Sequence, residues 1–370
     1  MVTIDQENHP TPMNQRTFYR YLPAERRPPA TRWICGISLV LALLLLAAGC
    51  SGRREIKLAG KTMGTTYHIT VVGGYFTAAA PLQDAVDERL AAINAGMSTY
   101  LPDSEISRFN QLQAVDTPFP IGDDFRAVMQ IAQELFRATG GAWDGTLDPL
   151  IDLWGFGRTR RAVNRVPSAE EIQALLPRVG FQHIELDGEG RLRKRQPSVS
   201  LDLASVAKGY GVDAIAALLR DKGFADYLVE IGGEVYAAGV RIDGQPWRIG
   251  INKPDPGAPF DQVYRVVHLQ DRAFATSGDY RNYFEIDGRR YAHIIDPRTG
   301  YPVANGVVSV SVTAETCALA DGLATALVVM GAPAGIDLVN HLPGVECLII
   351  TRDGENRLHD STSRGFRTAD

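Results

Sequence analysis

Apolar positions recur at two spacings along this chain, and they sort it into strands and helices. Gly64 to Val72 alternates and is rich in Thr, Tyr, Ile and Val, the period-two pattern of a strand with one exposed face. Pro81 to Asn94 sets Leu82, Ala85, Val86, Leu90 and Ile93 on one helical side. Phe125 to Thr139 repeats that pattern until Gly140-Gly141 stops it. Ser168-Ala169-Glu170-Glu171 behind Pro167 reads as a capping box opening a short helix that ends before Pro177. Strands are expected at His183–Leu186 and Val199–Leu203, then a helix from about Ser205 to Lys222. Further strands are predicted at Tyr227–Ile231, Glu234–Gly239, Trp247–Ile251, Val263–Leu269, Ala273–Thr276, Tyr283–Ile286, Tyr291–Ile294 and Val307–Thr313. Asp243-Gly244 and Asp287-Gly288 read as hairpin turns between them. Helices over Cys317–Val329 and Gly335–His341 and a strand at Cys347–Thr351 complete the pattern. Consecutive strands on tight turns predict an α+β fold of mostly antiparallel sheets with helices packed on their faces. No Gly-x-Gly-x-x-Gly follows a strand, which argues against a Rossmann site.

The first 49 residues read differently. A polar stretch with five arginines precedes an apolar run of 16 residues, Trp33 to Ala48, ending in Leu46-Ala47-Ala48-Gly49-Cys50. That run is shorter than the roughly 20 residues a spanning helix needs, and it suits a signal h-region. Small residues before a cysteine fit a bacterial lipoprotein cleavage site, with Cys50 lipidated and becoming the mature N-terminus. The other reading is an uncleaved anchor with an incidental cysteine; both place the remainder outside the cytoplasm, facing the periplasm. Ser51 leans toward outer-membrane sorting, and the choice of membrane stays open. The expected division is therefore a signal peptide at 1–49, a lipidated tether at 50–56, one catalytic-sized domain at 57–355 and a C-terminal tail at 356–370.

Without the leader the chain holds 33 basic against 40 acidic residues, a balance that argues against sequence-independent nucleic-acid binding. The basic run Arg191 to Arg195 reads as a solvated hairpin. Cys317 and Cys347 remain as possible thiols; an oxidising compartment permits a disulfide, but burial of Cys317 as a free thiol is the favoured expectation. No Cys or His spacing suggests zinc.

Candidate chemistry gathers in three places. Asp202 is delivered just before a helix beginning near Ser205, and Lys208 falls in its first turn. Helix N-termini attract phosphate, although Ser205 as an ordinary N-cap with a solvated Lys208 is the plainer reading. Asp321 and Thr325 stand four residues apart on a helix apolar nearly all round, so they share a face. A buried carboxylate needs a partner; no Arg or Lys lies on that helix, and two hard oxygens suit Mg²⁺. His293 stands three residues before Asp296-Pro297, so Asp296 is a candidate orienter for an imidazole base, against a core histidine held by a backbone carbonyl. Exposed Tyr100 and Trp143 are candidates to sandwich a heteroaromatic ring, whereas Trp154 and Phe156 read as loop anchors.

Eight ordered blocks then carry a resemblance. They are Lys61-Thr62-Met63-Gly64-Thr65, Met97-Ser98-Thr99-Tyr100, Leu153-Trp154-Gly155-Phe156-Gly157, Asp202 through Lys208-Gly209-Tyr210, Ile231-Gly232-Gly233-Glu234, Thr276-Ser277-Gly278-Asp279-Tyr280, His293 through Gly300-Tyr301-Pro302, and Ala320 through Thr325. From about Lys57 to Thr351 the chain resembles the ApbE flavin transferases, bacterial lipoproteins that act as FAD:protein FMN transferases, with a fold related to the T-fold. The resemblance implies that Met63, Tyr100, Ala142, Trp143, Asp144, Asp202, Lys208 and Ile295 contact FAD. It implies Mg²⁺ between Asp321, Thr325 and an oxygen near Ser205, and His293 as the base that deprotonates an acceptor threonine or serine. The implied acceptor is a subunit of a membrane redox complex, such as the sodium-translocating NADH:quinone reductase, and the products are AMP and FMN in phosphoester linkage. Gly145 and Asp148 stand where relatives often have Pro and Gly. FAD pyrophosphatase activity and non-catalytic flavin binding are the alternatives.

Overall fold

Eight strands pair into one antiparallel sheet that carries most of the molecule. The computed structural model describes residues 52–157, 165–255, 257–259, 262–278 and 282–369; Cys50 and the leader lie outside the described residues. Strand β1 (Arg53–Thr62) turns into β2 (Thr65–Gly74), and both turn residues, Met63 at φ 48° and Gly64 at φ 74°, take the positive φ of a type I′ hairpin. Strands β3 (Phe119–Pro120), β4 (Ile184–Leu186) and β5 (Arg191–Lys194) form a separate small sheet in the order β3-β5-β4. The main sheet continues through β6 (Tyr227–Ile231), β7 (Glu234–Ala238), β10 (Arg272–Gly278), β13 (Val307–Ala314), β14 (Glu346–Arg352) and β15 (Leu358–Thr362), in the order β1-β2-β6-β7-β10-β13-β14-β15. Two hairpins stand apart: β8 (Trp247–Asn252) with β9 (Val263–Leu269), and β11 (Tyr283–Ile286) with β12 (Arg289–Ala292).

Helices cover one face of that sheet. Helix α1 (Ala79–Met97) lays Leu82, Val86 and Leu90 on Ile56, Leu58, Ile69 and Val71. After the short α2 (Glu105–Gln111), α3 (Asp123–Ala138) buries Phe125, Val128, Met129, Ala132 and Leu135. Helices α4 (Asp148–Leu153) and α5 (Ala169–Leu175) frame the β11–β12 side, and both bonds of the Ser168/Glu171 capping box are present. At the centre α6 (Ala204–Asp221) and α7 (Cys317–Met330) cross closely, and α8 (Ala332–His341) follows. A side chain at Gly209 would put its Cβ 2.4 Å from the Cys317 carbonyl oxygen, so the contact requires glycine. The opposite sheet face packs Val235, Phe274, Leu348 and Ile350 against Trp247, Ile251, Val267 and Leu269 of the β8–β9 hairpin.

The architecture matches the α+β expectation, with local differences. Strand β1 was absent from the pattern because Arg53, Arg54, Lys57 and Lys61 mask an alternation that buries only Ile56, Leu58 and Thr62. Val199–Leu203 buries Val199, Leu201 and Leu203 but joins no sheet. At Leu201 a side chain takes the place of a strand: Asn110 Nδ2 donates to the Leu201 carbonyl at 2.8 Å, and the Leu201 N–H donates back to Asn110 Oδ1 at 2.7 Å. The run at Arg191–Arg195 is not a freely solvated hairpin. Lys194 is buried, its Nζ donating to the carbonyls of Asn110 and Leu112 at 2.9 and 3.1 Å, and burial pushes its pKa down to about 8. Residues expected as tether and tail join the same unit, which begins at Arg53, and β15 pairs with β14 from Leu358 to Thr362.

Candidate active site

Where α6 begins, α7 passes and β7 starts, a cavity of about 400 Å³ opens, within the usual range for cofactor-sized sites. Its wall joins Ala142, Trp143, Asp144, Asp202, Ser205, Lys208, His293, Ile295, Asp321 and Thr325, together with Glu234, Thr276 and Ser277. Ten of those positions belong to the expected site, and they come from four separate stretches of the chain. Met63 and Tyr100 are not in the wall: Met63 packs toward Gly211 of α6, and Tyr100 is 75% exposed.

The core of the site is a buried charge cluster. Lys208 Nζ lies 3.0 Å from Glu234 Oε1 and 3.3 Å from Asp321 Oδ2. Asp321 also accepts the Gly209 N–H at 3.1 Å, which the close α6–α7 crossing makes possible. The absence of a cation on α7 is therefore answered from α6: Lys208 is the partner of Asp321, and is not simply solvated. Burial opposes the Lys208 charge, but Asp321 and Glu234 outweigh it and hold the ammonium firmly protonated. Burial raises the pKa of Glu234 and of Asp321 while Lys208 lowers them. One ammonium balances one carboxylate, so the cluster is neutral while Glu234 keeps the proton that burial favours, and carries a net charge of −1 once Glu234 ionises. Glu234 Oε2 is buried without a hydrogen-bond partner, an expensive state for a carboxylate oxygen.

Helix α6 is not capped by Ser205. The Ala204 N–H donates to Asp202 Oδ1 at 2.8 Å, and the Ser205 hydroxyl instead accepts the Trp143 indole N–H at 3.0 Å. Trp143 is buried, 1% exposed, so it is no open stacking platform; it fixes Ser205 and rests edge-on against Phe181. The Asp144 carboxylate ties its own loop to the Phe181 turn, accepting from Thr146 N–H at 2.8 Å, the Thr146 hydroxyl at 2.5 Å and Phe181 N–H at 2.9 Å. Burial still raises its pKa.

His293 follows β12. Its Nδ1 lies 3.2 Å from the Asn282 carbonyl oxygen, which also takes the His293 backbone N–H at 3.1 Å. A carbonyl only accepts, so Nδ1 carries the proton and Nε2 is the basic nitrogen. Burial lowers the His293 pKa, Asn282 opposing. Asp296 is not the orienter: its carboxylate bonds the Arg298 guanidinium at 2.8 and 2.9 Å, because the Pro297 turn brings Arg298 back onto it. Trp154 does anchor, its Nε1–H donating to the Gly300 carbonyl at 2.8 Å, and Phe156 packs edge-on to the His293 ring at 6.3 Å.

Glu234, Asn282 and Asp213 were given no role by the residues alone. Glu234 opens an otherwise apolar strand behind Gly232-Gly233, a signal that an acidic side chain is being carried inward. Asp213 accepts the Cys317 and Ala318 N–H groups at 2.7 and 2.9 Å and so caps α7 from the neighbouring helix; nothing local marks it. Cys317 and Cys347 are both buried free thiols.

A magnesium ion fits the donor set. Among the described residues no three His, Cys, Asp or Glu side chains cluster as a metal site, yet Mg²⁺ is commonly held by one or two carboxylates with substrate phosphates completing the shell. Asp321, the Thr325 and Ser205 hydroxyls, and the unpaired Glu234 oxygen supply hard donors around the cavity.

The chain as a whole is similar to known proteins. The sequence profile of the ApbE family matches residues 63–349. The FAD:protein FMN transferase of Vibrio cholerae is 44% identical over 334 residues, covering 89% of this chain and 98% of that protein. That of Haemophilus influenzae is 41% identical, covering 86% and 93%. The solved structure of the flavin transferase ApbE from Vibrio cholerae superposes with a TM-score of 0.78 at 40% identity, covering 85% of this chain and 99% of that one. With the family profile spanning most of the chain and relatives this similar over nearly their full length, the chain belongs to the ApbE family.

Proposed function

We propose that this protein transfers the FMN half of FAD to a threonine or serine hydroxyl of an acceptor protein, releasing AMP, with Mg²⁺ as the metal. The observation that carries the reading is one cavity wall holding both His293 and the Lys208–Glu234–Asp321 cluster, in a chain whose relatives are named FAD:protein FMN transferases.

Each step then has a residue. A hydroxyl is a weak nucleophile at neutral pH and needs a base; His293 Nε2 takes its proton while the Asn282 carbonyl keeps the ring oriented. The acceptor oxygen bonds to the FMN phosphorus as the bond from that phosphorus to the bridging oxygen breaks, and AMP leaves with the electron pair. Lys208 and the N-terminus of α6 hold the pyrophosphate by charge and by N–H groups. Magnesium, when held by Asp321, Thr325 and Ser205, would supply Lewis-acid charge at the phosphate oxygens. Asp202 and Ile295 line the wall beside it, and Met63 and Tyr100 would reach FAD only where it extends past the cavity.

The acceptor proposed is a subunit of a membrane redox complex, such as a sodium-translocating NADH:quinone reductase. The protein would meet it as a periplasm-facing lipoprotein, lipidated on Cys50. Acceptor-dependent AMP release tests the reading: purified protein with FAD and Mg²⁺ should release AMP only when an acceptor peptide is added. Equal release of AMP and free FMN without any acceptor would make it a pyrophosphatase instead.

A further inference from the structure

Both exposed aromatic side chains of one turn stand at the end of the sheet where the chain enters the domain. Tyr75 and Phe76, just past β2, are 62% and 89% exposed and stack edge to face at 5.4 Å. The pair is held rather than loose: the Arg54 guanidinium sits 5.9 Å from the Tyr75 ring centre and donates to the Thr77 carbonyl at 2.7 Å. Gly74 pairs with Arg53, and Phe224 lies against Gly73, which brings the exposed Lys222 to the same end. Of the acidic neighbours, Asp226 is paired with Arg53 and Asp221 is exposed.

Arg53 follows Cys50 by three residues in the sequence, and three extended residues reach at most about 11 Å. A lipid on Cys50 would thus be tethered beside this aromatic and basic end. Aromatic rings with a polar neighbour settle at the membrane–water interface, and basic side chains favour anionic headgroups. The cavity is at the other end of the same strands. Tyr67 pairs with Ile231, which pairs with Glu234, and Tyr67 to Gly74 spans about 23 Å of strand.

We propose that Tyr75 and Phe76, flanked by Arg54 and Lys222, form a foot that rests in the headgroup layer of the bilayer holding the lipid anchor and turns the cavity outward. The proposal rests on the reading of Cys50 as a lipidated anchor. A lipid anchor alone would leave the domain free to turn; the foot fixes its orientation.

Mature lipidated protein beginning at Cys50, in vesicles of phosphatidylethanolamine and phosphatidylglycerol, tests it, with an environment-sensitive fluorophore on Phe76→Cys or on Lys61→Cys at the turn end of the same hairpin. Cys317 and Cys347 are buried and stay unlabelled. The label at 76 should shift its emission to the blue and be quenched by spin-labelled lipid, while the label at 61 does neither. Identical, water-like emission at both positions in protein that floats with the vesicles overturns the foot and leaves the anchor intact. A blue shift at 76 without lipid quenching shows the surface covered by protein and also overturns it. Protein that fails to float with vesicles overturns the anchor reading, and the foot with it.

Discussion

A histidine works as a base only while its ring is neutral, and burial keeps His293 in that state by lowering its pKa from the ordinary 6.5. The neutral form persists above the folded-state pKa and is lost as pH falls through it. The acid-side half-maximal point of acceptor-dependent AMP release should therefore lie below pH 6.5; one above 6.5 would contradict the assignment. His293→Ala should lower turnover by about 10²–10⁴-fold while FAD binding, followed by fluorescence, is retained. Asp321→Ala should remove the dependence on magnesium along with turnover, and unchanged sensitivity to EDTA would refute its place in the metal site. His293, Asp321, Thr325 and Lys208 were legible because each is a titratable or hard-oxygen group at a punctuated position: a strand end, a helix start, an apolar helix. Asp296 misled because proximity in sequence says nothing about direction; its carboxylate turns to Arg298. Glu234 stayed without a role because its importance comes from meeting Lys208, 26 residues away in sequence.

Helix α7 is the element on which the site depends. It is apolar on every side and almost wholly buried, as its sequence required, and that burial is what makes a carboxylate at 321 costly enough to demand partners. Its N-terminus has no side-chain cap of its own, so two N–H groups rely on Asp213 of α6. Asp213→Ala should cost about 1–2 kcal/mol in a urea titration, and should weaken the α6–α7 contact that sets Lys208 against Asp321. Burial also lifts the Asp213 pKa to about 6 from 3.8. The folded state then holds that proton more tightly than the unfolded chain, so this group's contribution to stability falls as pH rises from about 4 to about 6. Periodicity made α1, α3, α6 and α7 readable to within a few residues. It failed where another interaction replaced the usual one: Asn110 in place of a neighbouring strand at Leu201, and four basic side chains obscuring β1.

At the scale of the whole molecule, the sheet separates an end where the chain enters from an end where the cavity opens, and among the described residues no disulfide links the two. Cys317 and Cys347 are free and buried, and burial lifts the Cys347 thiol to about 12. Both should resist a thiol reagent until the protein unfolds, and the melting temperature should be the same with and without reductant; a shift would reveal a disulfide. The antiparallel α+β architecture was legible from strand spacing and turn residues, but the inclusion of β15 was not, because its pairing with β14 is a property of the assembled sheet. The central claim is that the imidazole and the acid–lysine cluster act on one FAD to move FMN onto a protein. Intact-mass measurement of an acceptor peptide, after incubation with this protein, FAD and Mg²⁺, tests that most directly. The account predicts a gain equal to one phosphoester-linked FMN on a single threonine or serine, absent with His293→Ala. An acceptor of unchanged mass while FAD is consumed would contradict it.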